Sequence, residues 1–224
     1  MLMAAAGRDT GALEGLVARR EKGEPVEWIV GWAPFCGLRV KVARGVYVPR
    51  AQTEVLARRA AELLPAGGRA ADLATGSGAV ALVLQAVRSS ARVVATEVDP
   101  TAVTCARSNG VDVLAGDLDA PLPVVLERRL DVLTANVPYV PTGALALLPR
   151  DVRQYEPRSA LDGGADGLDF VRRVLDVAPR WLRPGTGRVL VEIGPDQAGA
   201  FPDADLITDA EGDVRAIEVR APDQ

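Results

Sequence analysis

Apolar positions in this 224-residue chain fall into short runs of two kinds, and from about residue 52 onward the two kinds alternate. Residues 53–64 carry Val55, Leu56, Ala60 and Leu63 at helical spacing, and Pro65-Ala66-Gly67-Gly68 ends the run. Residues 69–74 read as a strand. A helical pattern over 79–87, a strand over 92–97 and a helix over 100–108, with proline in its first turn, follow. Residues 111–115 and 130–135 read as two further strands. A helix over 168–181 stops before Pro184-Gly185, and a strand covers 188–193. Residues 205–208 and 215–220 flank Glu211-Gly212-Asp213, a turn suited to a terminal hairpin. Upstream, residues 9–22 suit a short helix with Leu13, Leu16 and Val17 on one face, broken at Gly23-Glu24-Pro25. Residues 26–48 are rich in Val, Ile, Trp, Tyr and Phe, with Gly31, Gly37 and Gly45 as turn points, and read as a small β-rich element. No internal repeat is visible.

Strands alternating with helices through short connections predict an α/β fold. Its core would be a doubly wound, mostly parallel sheet of seven strands, with the C-terminal hairpin adding antiparallel pairing. The expected division is a short helix plus β-hairpin over residues 1–50, then a larger α/β domain over 51–224. Ligands of such sheets bind beyond the carboxyl ends of the strands. The ends of 69–74, 92–97 and 130–135 lie on that edge, so whatever chemistry they carry faces one crevice.

Composition narrows the chemistry. The chain is 48% hydrophobic and 25% charged, enough for a full core and a soluble surface, while aromatics are only 4%. The net charge of −4 argues against a dedicated nucleic-acid binder. There is no histidine, which excludes it as general base or metal ligand. Cys36 and Cys105 are far apart and lack partners for a zinc site, so no metal is expected and two lone thiols suit a reducing cytoplasm. No run reaches the ~18 apolar residues of a membrane span.

Three strand tips carry candidate chemistry. Asp72-Leu73-Ala74-Thr75-Gly76-Ser77-Gly78 runs from strand into helix, its glycines permitting tight turning and close backbone approach to a ligand. Glu97 ends the next strand, about twenty residues on, where a carboxylate commonly holds the two ribose hydroxyls of an adenosine. Gly76-Ser77-Gly78-Ala79-Val80-Ala81 also fits a dinucleotide pattern. Asp72 decides against that cofactor: a carboxylate there would repel a pyrophosphate and attract an ammonium. S-adenosylmethionine has adenosine, sulfonium and ammonium but no phosphate. Asp117, past strand 111–115, suits the adenine amino group, with Leu118 against the ring; a solvated turn is the plain alternative. At the third tip, Asn136-Val137-Pro138-Tyr139 joins an amide acceptor, a rigid backbone and a flat aromatic face, an arrangement able to hold a planar N–H₂ group.

Taken together, these motifs resemble class I methyltransferases of the HemK/PrmC type, which methylate the side-chain amide nitrogen of glutamine, best known in peptide-chain release factors at a Gly-Gly-Gln motif. The resemblance covers about residues 20–220. It is carried by Lys22-Gly23-Glu24-Pro25-Val26-Glu27-Trp28-Ile29-Val30-Gly31, Phe35-Cys36-Gly37-Leu38, Val48-Pro49-Arg50-Ala51-Gln52-Thr53-Glu54, the glycine loop, Glu97, Asp117 and Asn136–Tyr139. Tyr155-Glu156-Pro157 and Ala160-Leu161-Asp162-Gly163-Gly164-Ala165-Asp166-Gly167-Leu168 complete it. It implies S-adenosylmethionine as cofactor, held by residues 74–78 and Glu97 and touched by Leu118 and Asn136. It further implies that the Asn136 oxygen and the Val137 carbonyl each accept one amide hydrogen of a release-factor glutamine. Val137 stands where the family has proline, and Ala74 where it has the first loop glycine. Its longer helical N-terminal domain corresponds here to the few residues ahead of the match, a shortened substrate-recognition region. An adenine-amine methyltransferase on nucleic acid, a small-molecule N-methyltransferase and a non-catalytic cofactor-binding module are the competing readings.

Overall fold

The computed structural model describes residues 1–7 and 9–223. The chain begins with helices α1 (Leu2–Ala6), α2 (Thr10–Glu21) and α3 (Val26–Val30), then a hairpin of β1 (Trp32–Phe35) and β2 (Leu38–Lys41). The alternating part follows: α4 (Glu54–Leu63), β3 (Arg69–Leu73), α5 (Ala79–Val87), β4 (Arg92–Glu97), α6 (Pro100–Ser108), β5 (Val113–Ala115) and β6 (Val132–Ala135). Helices α7 (Arg150–Tyr155) and α8 (Asp169–Trp181) precede β7 (Arg188–Glu192), β8 (Asp205–Thr208) and β9 (Val214–Arg220).

Seven strands form one sheet in the order β5-β4-β3-β6-β7-β9-β8. Neighbours from β5 through β7 run parallel, while β9 is antiparallel to both β7 and β8. Connections from β3 lead outward to β4 and β5, and those from β6 lead the other way to β7. The direction of winding therefore reverses between β3 and β6, where a crevice opens at the carboxyl ends. The expected α/β architecture, strand number and antiparallel hairpin are all present.

The central strands are buried on both faces, which is why their sequences are mostly apolar, broken by the buried polar residues Asp72, Thr134 and Glu192. Helix α8 buries Val171, Val174, Ala178 and Trp181, an apolar stripe at helical spacing against the sheet. Asp99 caps α6 by accepting from the Thr101 and Ala102 amides, and Pro100 fills the first turn, where no amide donor is needed. The β1–β2 hairpin packs on α6 through Trp28, Ala33, Val42, Val46, Val48, Ala102 and Cys105.

Two local expectations are revised. Residues 26–30, read as the start of a β-rich element, form a helical turn: Pro25 initiates it, Gly31 in a left-handed conformation ends it, and Trp28 anchors it through an indole bond to the Val46 carbonyl. The predicted strand over 111–115 pairs only from Val113, because Gly110-Val111 is still closing α6.

Candidate active site

One cavity of about 850 Å³ lies at the carboxyl edge of the sheet, a size typical of small-molecule sites. Its wall includes Asp72, Ala74, Thr75, Gly76, Ser77, Glu97, Asp117, Leu118 and Asn136 through Tyr139. Of the sequence-predicted site residues, only Gly78 stands back from the wall. A Cβ on Gly78 would lie 2.7 Å from a Val111 methyl, and its φ is +84°, so glycine there lets α5 approach its neighbours. Ala74 occupies the left-handed region at φ +52°, a strained conformation for any residue with a side chain.

The two acidic residues of the cradle do more than project into it. Glu97 Oε2 accepts from the Gly76 amide at 2.8 Å, and its Oε1 accepts from Val98 and Asp99 at 2.8 and 2.9 Å. Glu97 thus ties the glycine loop to the end of β4 and fixes its shape. Asp72 is 2% exposed; its Oδ2 accepts from the Thr75 hydroxyl at 2.5 Å and its Oδ1 from the Thr134 hydroxyl at 2.7 Å. Burial pushes the Asp72 carboxyl up to about 6, against the pull of those two hydroxyls. Both carboxylates are satisfied by neutral donors alone, so their charge remains available to a cation. That chemistry fits a cofactor bearing ammonium, sulfonium and ribose hydroxyls, and it opposes a pyrophosphate.

Asp117 and Leu118 form another wall of the cavity. Asp117 Oδ2 accepts from Arg173 at 2.6 Å, and the Arg173 guanidinium also stacks over the Phe170 ring, 5.3 Å from its centroid. Leu118, in a left-handed conformation at φ +44°, turns inward and is buried. Leu118 and Phe170 supply apolar surface beside a charged pair, a combination suited to a flat base.

Across the crevice, β6 delivers Asn136-Val137-Pro138-Tyr139. The Asn136 side-chain amide donates to the Thr53 hydroxyl at 3.3 Å. No hydrogen bond from the described residues occupies Asn136 Oδ1 or the Val137 carbonyl oxygen. The Val137 side chain is buried in the core beneath the sheet edge, so packing holds a position that proline would otherwise stiffen. Tyr139 donates its hydroxyl to Glu192 Oε1 at 2.9 Å and accepts from Gln52 Nε2 at 2.7 Å. Burial, then the nearby Glu192 carboxyl, push the Tyr139 phenol above its ordinary range, which keeps it neutral.

The segment after the tetrapeptide is clamped by residues 160–168. Val140 exchanges backbone hydrogen bonds with Leu161 and Gly163. Gln197 donates to the Tyr139 carbonyl at 2.9 Å and to the Asp166 carbonyl at 3.0 Å. A Cβ at Gly163 would lie 2.7 Å from the Pro138 carbonyl, and one at Gly167 would overlap the Tyr139 carbonyl. Glycine at both positions is what lets the two segments touch. On the opposite side, Arg50 pairs with the buried Glu156 and sits over the Tyr47 ring, joining the segment before α4 to the one after α7.

Several residues at or behind this wall carry no role in the sequence reading: Tyr47, Gln52, Thr53, Phe170, Arg173, Glu192 and Gln197. One of them left a signal. Glu192 is a lone acid in the apolar stretch Val189-Leu190-Val191-Glu192-Ile193, where strand burial leaves a charge without solvent.

No family model matches the chain. Among curated relatives, the release factor glutamine methyltransferase of Moorella thermoacetica is 44% identical over 210 residues, covering 89% of this chain and 71% of the relative. The protein of the same name from Geobacter sulfurreducens is 42% identical over 193 residues, covering 84% and 66%. That of Cereibacter sphaeroides is 35% identical over 222 residues, covering 93% and 79%. The chain therefore spans between 66% and 79% of the length of these three. Among solved structures, a 16S rRNA N2 methyltransferase of T. Thermophilus, in complex with AdoMet and guanosine, superposes with a TM-score of 0.58 at 21% identity, covering 85% of this chain and 49% of that one. The hMettl16 catalytic domain, in complex with a 3′UTR hairpin, gives a TM-score of 0.60 at 15% identity, covering 89% and 81%. These two likenesses establish the fold.

Proposed function

The chain belongs to the release factor glutamine methyltransferase family, and from that premise we propose that it transfers a methyl group from S-adenosylmethionine to the side-chain amide nitrogen of a glutamine in a peptide-chain release factor. The observation that carries this reading is the convergence on one cavity of an acidic cradle and an acceptor pair without competing donors among the described residues. The cofactor supplies an electrophilic methyl on its sulfonium. Thr75, Gly76 and Ser77 would pack against it, with Glu97 holding the ribose and Asp72 the ammonium. Asp117, Leu118 and Phe170 would border the adenine.

An amide nitrogen is a poor nucleophile because its lone pair is delocalised. Asn136 Oδ1 and the Val137 carbonyl would accept its two hydrogens, hold the nitrogen in line with the methyl, and stabilise the positive charge that develops on it. Positioning of this kind contributes up to about 7–11 kcal/mol in favourable cases. The neutral Tyr139 ring would pack against the amide plane. No histidine base is needed, because the proton leaves after the nitrogen has become cationic. Two cysteines, neither in a disulfide, suit a reducing compartment, and among the described residues no helix is long and apolar enough to cross a membrane.

The test is to incubate the protein with methyl-labelled S-adenosylmethionine, release factors and nucleic acid and to locate the label by mass spectrometry. Label on a glutamine side chain is expected. Label confined to nucleic acid would overturn the glutamine assignment and transfer the acceptor pair to the exocyclic amine of a base.

A further inference from the structure

A primary amide has a donor end and an acceptor end of nearly the same shape, so Asn136 could face the cavity with either. Thr53 makes the choice. Its hydroxyl takes the Nδ2 end of Asn136 at 3.3 Å, which leaves Oδ1 as the other end. Thr53 is buried at the close of the helical turn Ala51–Thr53 that leads into α4, far from Asn136 in sequence. Behind both lies Glu192, at the end of β7. Ala135 pairs with Val191, so the residues that follow them, Asn136 just past β6 and Glu192 at the last position of β7, lie side by side.

Glu192 is an unusual residue to find there. It is 1% exposed and lies outside the lining of the cavity. Its Oε1 accepts from Tyr139 at 2.9 Å and from Gln52 Nε2 at 3.0 Å, while Gln52 Nε2 also donates to the Tyr139 hydroxyl at 2.7 Å. Its Oε2 has no hydrogen-bond partner among the described residues. Burial pushes the Glu192 carboxyl above its ordinary range, against the pull of Gln52, Thr53 and Tyr139 beside it. A buried carboxylate without a salt-bridge partner costs several kcal/mol, which well-packed apolar residues would avoid. What Glu192 supplies in return is orientation of the Tyr139 hydroxyl and the Gln52 amide.

We propose that Thr53 and Glu192 are positioning residues for methyl transfer: Thr53 sets the Asn136 amide so that Oδ1 faces the acceptor, and Glu192 holds Tyr139 and Gln52 in register behind it. The inference rests on the reading of Asn136 as the acceptor-binding residue. Two acceptors, Oδ1 and the Val137 carbonyl, match the two hydrogens of an N–H₂ group. A reversed Asn136 would present a donor to a donor and expel it. Neither Thr53 nor Glu192 touches the reacting atoms. Glu192 accepts the Tyr139 proton and so directs it away from the cavity.

Thr53→Val keeps the shape and removes the hydroxyl; Thr53→Ser keeps the hydroxyl; Glu192→Gln keeps the shape and puts a donor where an acceptor was. With labelled S-adenosylmethionine and a release factor, Thr53→Val and Glu192→Gln are expected to lose about 100-fold in kcat. Cofactor Kd and melting temperature should stay near wild type in Thr53→Val, and Thr53→Ser should recover the rate. A second readout needs no turnover. In NMR spectra the side-chain amide protons of Asn136, assigned by their disappearance in Asn136→Ala, should exchange about tenfold faster in Thr53→Val than in wild type or Thr53→Ser. Wild-type kcat in Thr53→Val and Glu192→Gln, beside an inactive Asn136→Ala, would overturn the positioning role and leave the proposed function standing. Unchanged Asn136 exchange in Thr53→Val would overturn it even if no release factor is methylated, an outcome that would separately remove the proposed function.

Discussion

At the scale of single residues, the site is built on buried carboxylates that a stability optimum would not contain. Asp72 shows this with a sign that can be worked out. Its folded pKa of about 6 lies above its ordinary value of 3.8, so folding favours the neutral acid. The stability this contributes is complete below about pH 4 and is lost as the pH rises through 6, a loss of about 3 kcal/mol. Asp72→Asn should therefore be more stable than wild type at pH 7.5 and no more stable at pH 4, as urea denaturation at the two values would show. The same variant should bind S-adenosylmethionine more weakly, and wild-type affinity should rise between pH 5 and 7 while that of Asp72→Asn stays flat by calorimetry. Asn136→Ala is expected to abolish methyl transfer while retaining weakened cofactor binding; full turnover in that variant would contradict its proposed role.

At the scale of elements, two loops are held by partners supplied from elsewhere in the chain. Glu97 stitches the glycine loop to β4 through three backbone amides. Glu97→Ala should raise the cofactor Kd through a loosened loop and loss of the ribose contact proposed for it, measured by calorimetry, with little effect on the distant β8–β9 hairpin. The Asn136–Tyr139 segment is pressed against residues 160–168, where glycine permits contact. Gly163→Ala would push a methyl into the Pro138 carbonyl and the Tyr139 backbone. It should cost about 2 kcal/mol of stability and displace the tetrapeptide. Melting curves would show the first effect. A fall in kcat at nearly unchanged cofactor Kd would show the second.

At the scale of the whole molecule, the cofactor cradle and the acceptor tip lie on opposite sides of the point where the winding of the sheet reverses. A ligand in the proposed site would contact β3, β4 and β6 at once, so binding should stabilise the fold as a unit. At 100 times Kd, S-adenosylmethionine or its demethylated product should add about 2.7 kcal/mol and raise the melting temperature by about 5–10 °C. NAD at the same concentration should produce no shift, because Asp72 repels its pyrophosphate. An equal shift with NAD would reverse the choice of cofactor.

The sequence by itself determined the local elements, because strands buried on both faces must be mostly apolar and α8 must carry its stripe at helical spacing. It also determined the chemistry of the strand tips, since the glycine loop, Glu97 and Asn136–Tyr139 are contiguous motifs whose side-chain types speak for themselves. It misread residues 26–30, where a proline start and a left-handed glycine stop outweigh β-prone composition. Only the tertiary structure decided how those motifs are held. Thr53 meets Asn136 across 83 residues, Glu192 meets Tyr139 across 53, and Arg50 meets Glu156 across 106. Hydrogen-bond partners so distant leave no periodicity or spacing along the chain. They follow from strand register and helix packing, which bring residues together through the folded core.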